Sequence, residues 1–292
     1  MTNPLLTKSS LPNQAPPFDK IEESHYLPAV EAAIAEARKN VDAIKTNKSA
    51  PDFANTIVAL EISSEALGMV AGIFYNQLSA AGTDGLQALA DKIGPLNSAF
   101  SSDVLLDDTL FARVKAVYDK KDSLNLTPEQ MTLLDETYKG FVRGGAGLDE
   151  AKKTRLREIN ERLSILAPTF SNNVKKSGEQ FELLIDNDKD LAGLPESALA
   201  GAQHAAEEKE HKGKWLFTLD MPSYLPFMQY ADNRNLREKM WRAFASRAWK
   251  DSFDNSGNVL ETVKLRDERA KLLGYKNHAH YVLEKRMAET PE

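Results

Sequence analysis

The sequence predicts a mainly α protein, a multi-helix domain carrying one small strand pair. Three observations point there. Apolar residues recur at spacings of three and four over most of the chain, which is the period of one helix face. The stretches "TPEQ" and "RGGAG" supply a helix start and a helix stop. Two short apolar runs bounded by Gly and Asp, "EQFELLID" and "GKWLFTLD", interrupt the helical pattern after Gly178 and read as strands near 179–187 and 214–220.

Leu27, Val30, Ile34, Val41 and Ile44 define a first helix, with Pro28 tolerated in its first turn. Phe53, Ile57, Leu60, Leu67, Phe74 and Leu78 predict a second, longer one. Leu86, Leu89, Ile93, Leu96 and Phe100 predict a third, with a kink expected at Gly94-Pro95. A short helix is expected from about Asp108. The next opens with Thr127 as N-cap, Pro128 at the first helical position and Gln130 two further on. It closes at Gly144, Gly145 and Gly147. Leu156, Ile159, Leu163, Leu166, Phe170 and Val174 mark another long helix, with a bend expected at Pro168.

Between the two strands, "LPESALAGAQHAAEEKEHKG" reads as a helix. After Asp220, so do "MPSYLPFMQYA", "NLREKMWRAFASRAW" and "LRDERAKLLG". A turn at Gly274 then leads into a last helix expected to run up to Thr290-Pro291. No internal repeat or low-complexity linker divides the chain. Residues 1–292 are therefore expected to form a single helical domain, with any sub-boundary near 144–147.

Composition narrows the function classes. A chain of 292 residues can bury a large core. Its net charge of -6 argues against nucleic acid or an anionic membrane as the main partner. With no cysteine, disulfides, thiol catalysis and Cys-type metal sites are excluded. No stretch reads as apolar enough to span a bilayer, and "MTNPLLTKSS" is not a secretory signal, so a cytoplasmic location is expected.

The candidate chemistry is sparse. His204, Glu208 and His211 fall at i, i+4 and i+7, one face of a helix, and two imidazoles with a carboxylate can bind zinc. Their neighbours are Ala, Glu and Lys, so a solvated face is the expected reading. His278 and His280 form an H-x-H pair, but on a helix they point about 200° apart. His25 is expected to serve as a structural hydrogen-bonder in the first helix. No phosphate loop, dinucleotide fingerprint or G-x-S-x-G elbow occurs, and no His-Glu dipeptide exists for a zincin motif. Arg234, Arg237, Arg242 and Arg247 with Trp241 and Trp249 resemble an RNA surface in composition, but the net negative charge supports the plainer reading, a helix whose arginine stems cover its aromatics.

Longer motifs say more than this chemistry. "WLFTLDMPSYLPFMQYADNRNLREKMWRAFASRA", "LRDERAKLLGYKNHAHYVLEKRMAETPE" and the opening "FDKIEESHYLPAVEAAIAEA" occur in the order they hold in the thimet oligopeptidase family of zinc metallopeptidases, which the chain resembles from Asn3 to Glu292. Within that family it looks most like the bacterial peptidyl-dipeptidases. The resemblance implies two largely helical lobes flanking a deep channel that admits unstructured oligopeptides. It also implies that H-E-x-x-H, the zinc and the general base belong to a C-terminal catalytic domain beyond this sequence. The chain is thus expected to be the non-catalytic N-terminal part, inactive alone, binding no metal itself, and forming channel wall and access control.

Tyr224 and Arg237 lie in the matching motifs and are the substrate-channel candidates, with packing and a helix-terminal hydrogen bond as their plainer roles. The alternatives are a fragment of an endo-acting oligopeptidase and a free-standing helical peptide-binding or scaffold module. Self-association is expected through an apolar face at the end of the chain, formed by Leu272, Tyr275, Tyr281, Val282, Leu283 and Met287.

Overall fold

In a computed structural model, residues 3–292 are described. They form helices α1 (Glu23–Thr46), α2 (Ala59–Ile62), α3 (Glu65–Ala81), α4 (Asp84–Leu105), α5 (Asp108–Tyr118), α6 (Pro128–Gly144) and α7 (Glu150–Glu179). Strand β1 (Leu183–Ile185), helix α8 (Glu196–Glu208) and strand β2 (Trp215–Phe217) follow. The chain continues through α9 (Met221–Tyr230), α10 (Arg234–Ala245), α11 (Ser256–Leu272) and α12 (His278–Leu283). The mainly α class with one strand pair is what the periodicity predicts. The chain gathers into two compact units. The first takes in everything up to Pro168 together with Thr262–Glu292, and the second is Thr169–Glu261. The glycine turn at 144–147 lies inside the first unit.

In the first unit α1 packs on α3 and α4. Tyr26, Val30, Leu67, Val70, Phe74 and Ile93 fill the space between them, with Tyr26 and Phe74 edge to face at 5.2 Å. A second cluster joins the far end of α1 to α5 and α6 through Val41, Ile44, Leu110, Val114, Leu134 and Phe141. Both ends of α6 follow the expected chemistry. Thr127 and Gln130 exchange hydrogen bonds at 3.3 and 3.0 Å, and Gly145 closes the helix at φ 98°. A Cβ at Gly145 would stand 2.7 Å from Leu156 Cδ2, so position and conformation both demand glycine.

Two helices of the first unit differ from the sequence reading. The long helix expected from Phe53 is two pieces. It begins as a wide π turn over Phe53–Val58, continues as α2, and breaks at Ser63 before α3. The π turn is held from outside. Arg113 is buried and donates to the carbonyl of Asn47 at 2.8 Å, to Asn55 Oδ1 at 3.0 Å and to Thr56 Oγ1 at 3.3 Å. Helix α4 continues past Pro95 as one 22-residue helix. The last helix stops at Leu283, well short of Thr290.

The expectation that no stretch is apolar enough to cross a bilayer is also corrected. Within Phe53–Ala81 one 18-residue window has a mean hydropathy of 1.7, sufficient by length and composition. Glu61 and Glu65 hid it from a search for charge-free runs. In the structure the break at Ser63 divides the stretch, and Leu67, Val70 and Phe74 turn into the core.

The second unit is built around the strand pair. β1 and β2 are antiparallel, with Leu183 opposite Phe217 and Ile185 opposite Trp215. Each strand is only three residues long, shorter than its apolar run. Helices α8 and α9 cover the pair, and Ile185, Phe217, Phe227 and Met240 are core. After α10 the chain is pinned by Asn255, which is buried. Its amide donates to the Phe170 carbonyl at 3.0 Å, and its Oδ1 accepts from Asn173 at 2.9 Å.

Candidate functional site

The sequence candidates of the second unit sit at the α9–α10 corner. Pro222 opens α9, and Asn233 caps α10 by accepting from the amides of Asn235 and Leu236 at 3.0 and 3.2 Å. Tyr224, on α9, is buried and stacks on Phe244 with ring centroids 4.2 Å apart. Arg237, one turn into α10, returns its guanidinium to the end of α9. It donates to the carbonyl of Ala231 and, at 3.1 Å, to that of Asp232. These carbonyls carry the partial negative charge of a helix C-terminus, which a guanidinium neutralises. Arg237 also borders an open cleft of about 350 Å³ with Met228, Arg234, Glu238 and Trp241. The corner thus offers two guanidiniums, one carboxylate and an indole around an open cleft.

The histidines fall apart as a set. His204 and Glu208 lie 3.5 Å apart on α8 with both side chains about two-thirds or more in solvent. His211 is off the helix, because α8 ends at Glu208 and the His211 amide returns to the Ala206 carbonyl at 2.8 Å. The one-face arrangement expected of the three is corrected by that early stop. His25 accepts from the Glu22 amide at 3.0 Å, a cap on α1. His280 Nδ1 lies 2.9 Å from Asn277 Oδ1, while His278 turns the other way and leaves Nδ1 buried without a partner. Burial first, then Arg266 and Arg269, hold the His278 imidazole below its ordinary pKa. Among the described residues no group of three or more His, Asp or Glu is placed to hold a metal ion, so the zinc that the family resemblance implies has no ligand set here.

The best-organised polar cluster is one that the sequence reading did not single out. Arg143 leaves the last turn of α6 and reaches α12. It pairs with Glu284, donates to Tyr275 Oη at 3.1 Å and to the Tyr281 carbonyl at 2.7 Å, and lies over the Tyr281 ring at 4.6 Å. Tyr275 in turn donates to Glu284 at 2.7 Å. The signal available in sequence was an arginine directly before a glycine stop, which reads only as a helix-terminal charge. The end of the chain is accordingly more covered than expected. Leu272, Tyr275, Tyr281, Val282 and Leu283 are half-buried, and only Met287 is exposed. On α11 itself, Val259, Leu260 and Val263 are exposed.

Comparison with known proteins places these elements. The model of peptidase family M3 matches residues 227–292, from within α9 through α12. The dipeptidyl carboxypeptidase of Salmonella typhimurium is 36% identical over 292 residues, covering all of this chain and 43% of that protein. Oligopeptidase A of the same organism is 37% identical over 297 residues, again covering all of this chain and 43% of that protein. A probable cytosolic oligopeptidase A of Arabidopsis thaliana is 32% identical over 98% of this chain and 41% of its own length. The chain therefore spans less than half the length of the curated relatives it matches, in their N-terminal part.

Proposed function

We propose, for a chain that belongs to peptidase family M3, that it forms the non-catalytic N-terminal part of a zinc peptidyl-dipeptidase. It would build the wall of a channel that admits unstructured oligopeptides and limits access to a catalytic part elsewhere. The observation that carries this reading is alignment of the whole chain, at 36% identity, within a dipeptidyl carboxypeptidase more than twice as long. The open cleft beside Arg237 is the surface of the second unit best suited to contact a passing peptide, since Arg234 and Trp241 offer charge and stacking there. Tyr224, by its burial, serves that surface only from beneath.

A second reading, an endo-acting oligopeptidase, is favoured by the 37% identity to oligopeptidase A. One experiment separates the two. The chain is joined to the downstream part of the Salmonella dipeptidyl carboxypeptidase or of its oligopeptidase A, and the products from a blocked oligopeptide are weighed by mass spectrometry. Dipeptides released from the C-terminus by the first chimera support the proposal. Internal cleavage by both chimeras supports the alternative. Zinc-dependent hydrolysis by the purified chain alone would overturn the supporting role.

A further inference from the structure

The first unit holds a cavity of about 390 Å³ whose lining includes Ser98, Ser101, Arg143, Asn160, Arg269 and Tyr281. Both charged side chains in the lining are guanidiniums. Arg143 is fully answered by Glu284, Tyr275 and the Tyr281 carbonyl. Arg269 is not. Among the described residues its one polar contact is from Nη1 to Asn160 Oδ1 at 3.4 Å, the long limit of a hydrogen bond, and its Nε is buried with no acceptor. It shares the Tyr281 ring with Arg143, the two guanidinium carbons standing 5.4 and 4.6 Å from the centroid.

The surroundings supply no counter-charge. Glu268, next to Arg269 in sequence, is taken by Arg155 at 2.6 and 2.9 Å, and Glu284 by Arg143. Arg266 adds charge of the same sign, and burial pulls the Arg269 pKa down. Arg113 also leaves its Nε unpartnered, but its two Nη atoms are met by two carbonyls and two side-chain oxygens, whereas those of Arg269 have the one long contact to Asn160. A charge withdrawn from water is costly unless something answers it. Arg269 is half-buried, has only one weak contact on its Nη atoms, and lines a cavity of ligand size.

We propose that this cavity binds a carboxylate. The planar anion would lie against the Nη1–Nη2 end of Arg269, a two-pronged fork that guanidinium and carboxylate form readily. Ser98 and Ser101 line the same space and carry hydroxyls free to rotate toward it. The carboxylate can arrive as a free small anion or as the C-terminus of a peptide, and the chemistry of recognition is shared. The inference uses no catalytic group, so it stands apart from the peptidase reading.

The test follows the arginine Nε–Hε resonances of the isotopically labelled chain at constant ionic strength, with the Arg269 signal assigned by its loss in Arg269→Gln. The probes are sodium acetate, trialanine and trialanine amide. Acetate and trialanine should shift the Arg269 signal saturably, and the amide should bind at least about tenfold more weakly than the free acid. Trialanine binding at least about tenfold tighter than acetate identifies a peptide terminus as the ligand, and equal affinities identify a free anion. Ser101→Leu keeps Arg269 and fills the cavity, so it should abolish the shift and decides the matter if Arg269→Gln does not fold. A folded wild-type chain with no saturable response, an equal response to the amide, or binding retained in Ser101→Leu would overturn the proposal.

Discussion

Arg143 and Tyr281 stand 138 residues apart in the chain, yet the guanidinium of one donates to the backbone carbonyl of the other at 2.7 Å. That bond, the pairing with Glu284 and the contact with Tyr275 fasten the six-residue α12, too short to be stable by itself, onto the end of α6. Arg143→Ala should therefore cost about 2–3 kcal/mol, the range of charge-assisted hydrogen bonds lost from a mostly buried site. Hydrogen exchange should rise in residues 275–290 before it rises in α1. Uniform exchange across the unit in the variant would contradict this local role.

The turn at Gly145 should tolerate no side chain. Gly145→Ala adds a Cβ at φ 98° and 2.7 Å from Leu156 Cδ2, so chemical denaturation should show a loss of about 1–3 kcal/mol. Thr127→Ala, at the other end of α6, removes one half of a reciprocal cap and should cost about 1 kcal/mol. An equal effect of both substitutions would show that strain at the stop is relieved by movement of Leu156.

Asp107 gives the first unit a defined acid sensitivity. Burial pushes its carboxyl pKa up, but Lys45 at 2.7 Å and the Leu110 amide at 2.8 Å outweigh this and hold it below the usual carboxylate range. A folded-state pKa below the unfolded value of about 3.9 stabilises the fold above that pH. The contribution is lost as pH falls through the folded value. Asp107→Asn should lower stability at pH 7 and flatten the stability curve below about pH 4. A curve parallel to wild type in that range would rule out Asp107 as a contributor.

Zinc should neither stabilise the chain nor stay with it through dialysis. His204 and Glu208 are exposed and His211 has left their helix, so His204→Ala with His211→Ala should shift stability by less than about 0.5 kcal/mol. Elemental analysis and thermal melts with and without zinc check both points. One retained zinc per chain, lost in the double variant, would restore the histidines as a site.

The second unit should separate packing from recognition at its α9–α10 corner. Tyr224→Ala removes a buried aromatic stacked on Phe244 and should cost about 3–5 kcal/mol. Trp241→Ala, half in solvent beside the cleft, should change stability by less than about 1 kcal/mol. In a chimera competent for hydrolysis, Trp241→Ala should raise KM with little change in kcat.

Helices and strands were legible where local chemistry decides them. The Thr127 cap, the Gly145 stop and the Gly-bounded strands each act within a few residues, and all three appear where the sequence puts them. What escaped depends on distant partners. The apolar spacing from Phe53 to Leu78 is continuous, but the chain breaks at Ser63, whose hydroxyl donates to the Leu60 carbonyl at 2.7 Å. That carbonyl is drawn away from the regular ladder. The end of α12 was misplaced because its anchors, Arg143 and Glu136, come from α6. Arg269 stood inside a recognised motif, and only three-dimensional packing shows that its neighbours' carboxylates are already engaged.

The π turn at Phe53–Val58 amounts to one residue more than a regular helix would hold over the same rise. Every residue after it is therefore rotated by about 100° from the phase that an uninterrupted α-helix would give. Removing a single residue between Phe53 and Val58 would not shorten a loop. It would swing α2 about its own axis, take Ile57 out of the core and leave Arg113 facing the wrong oxygens. This segment should thus accept substitution at the exposed Ala54 and Val58 but no change of length, and a deletion scan across 47–64 should find its sharpest loss of folded protein at those six positions.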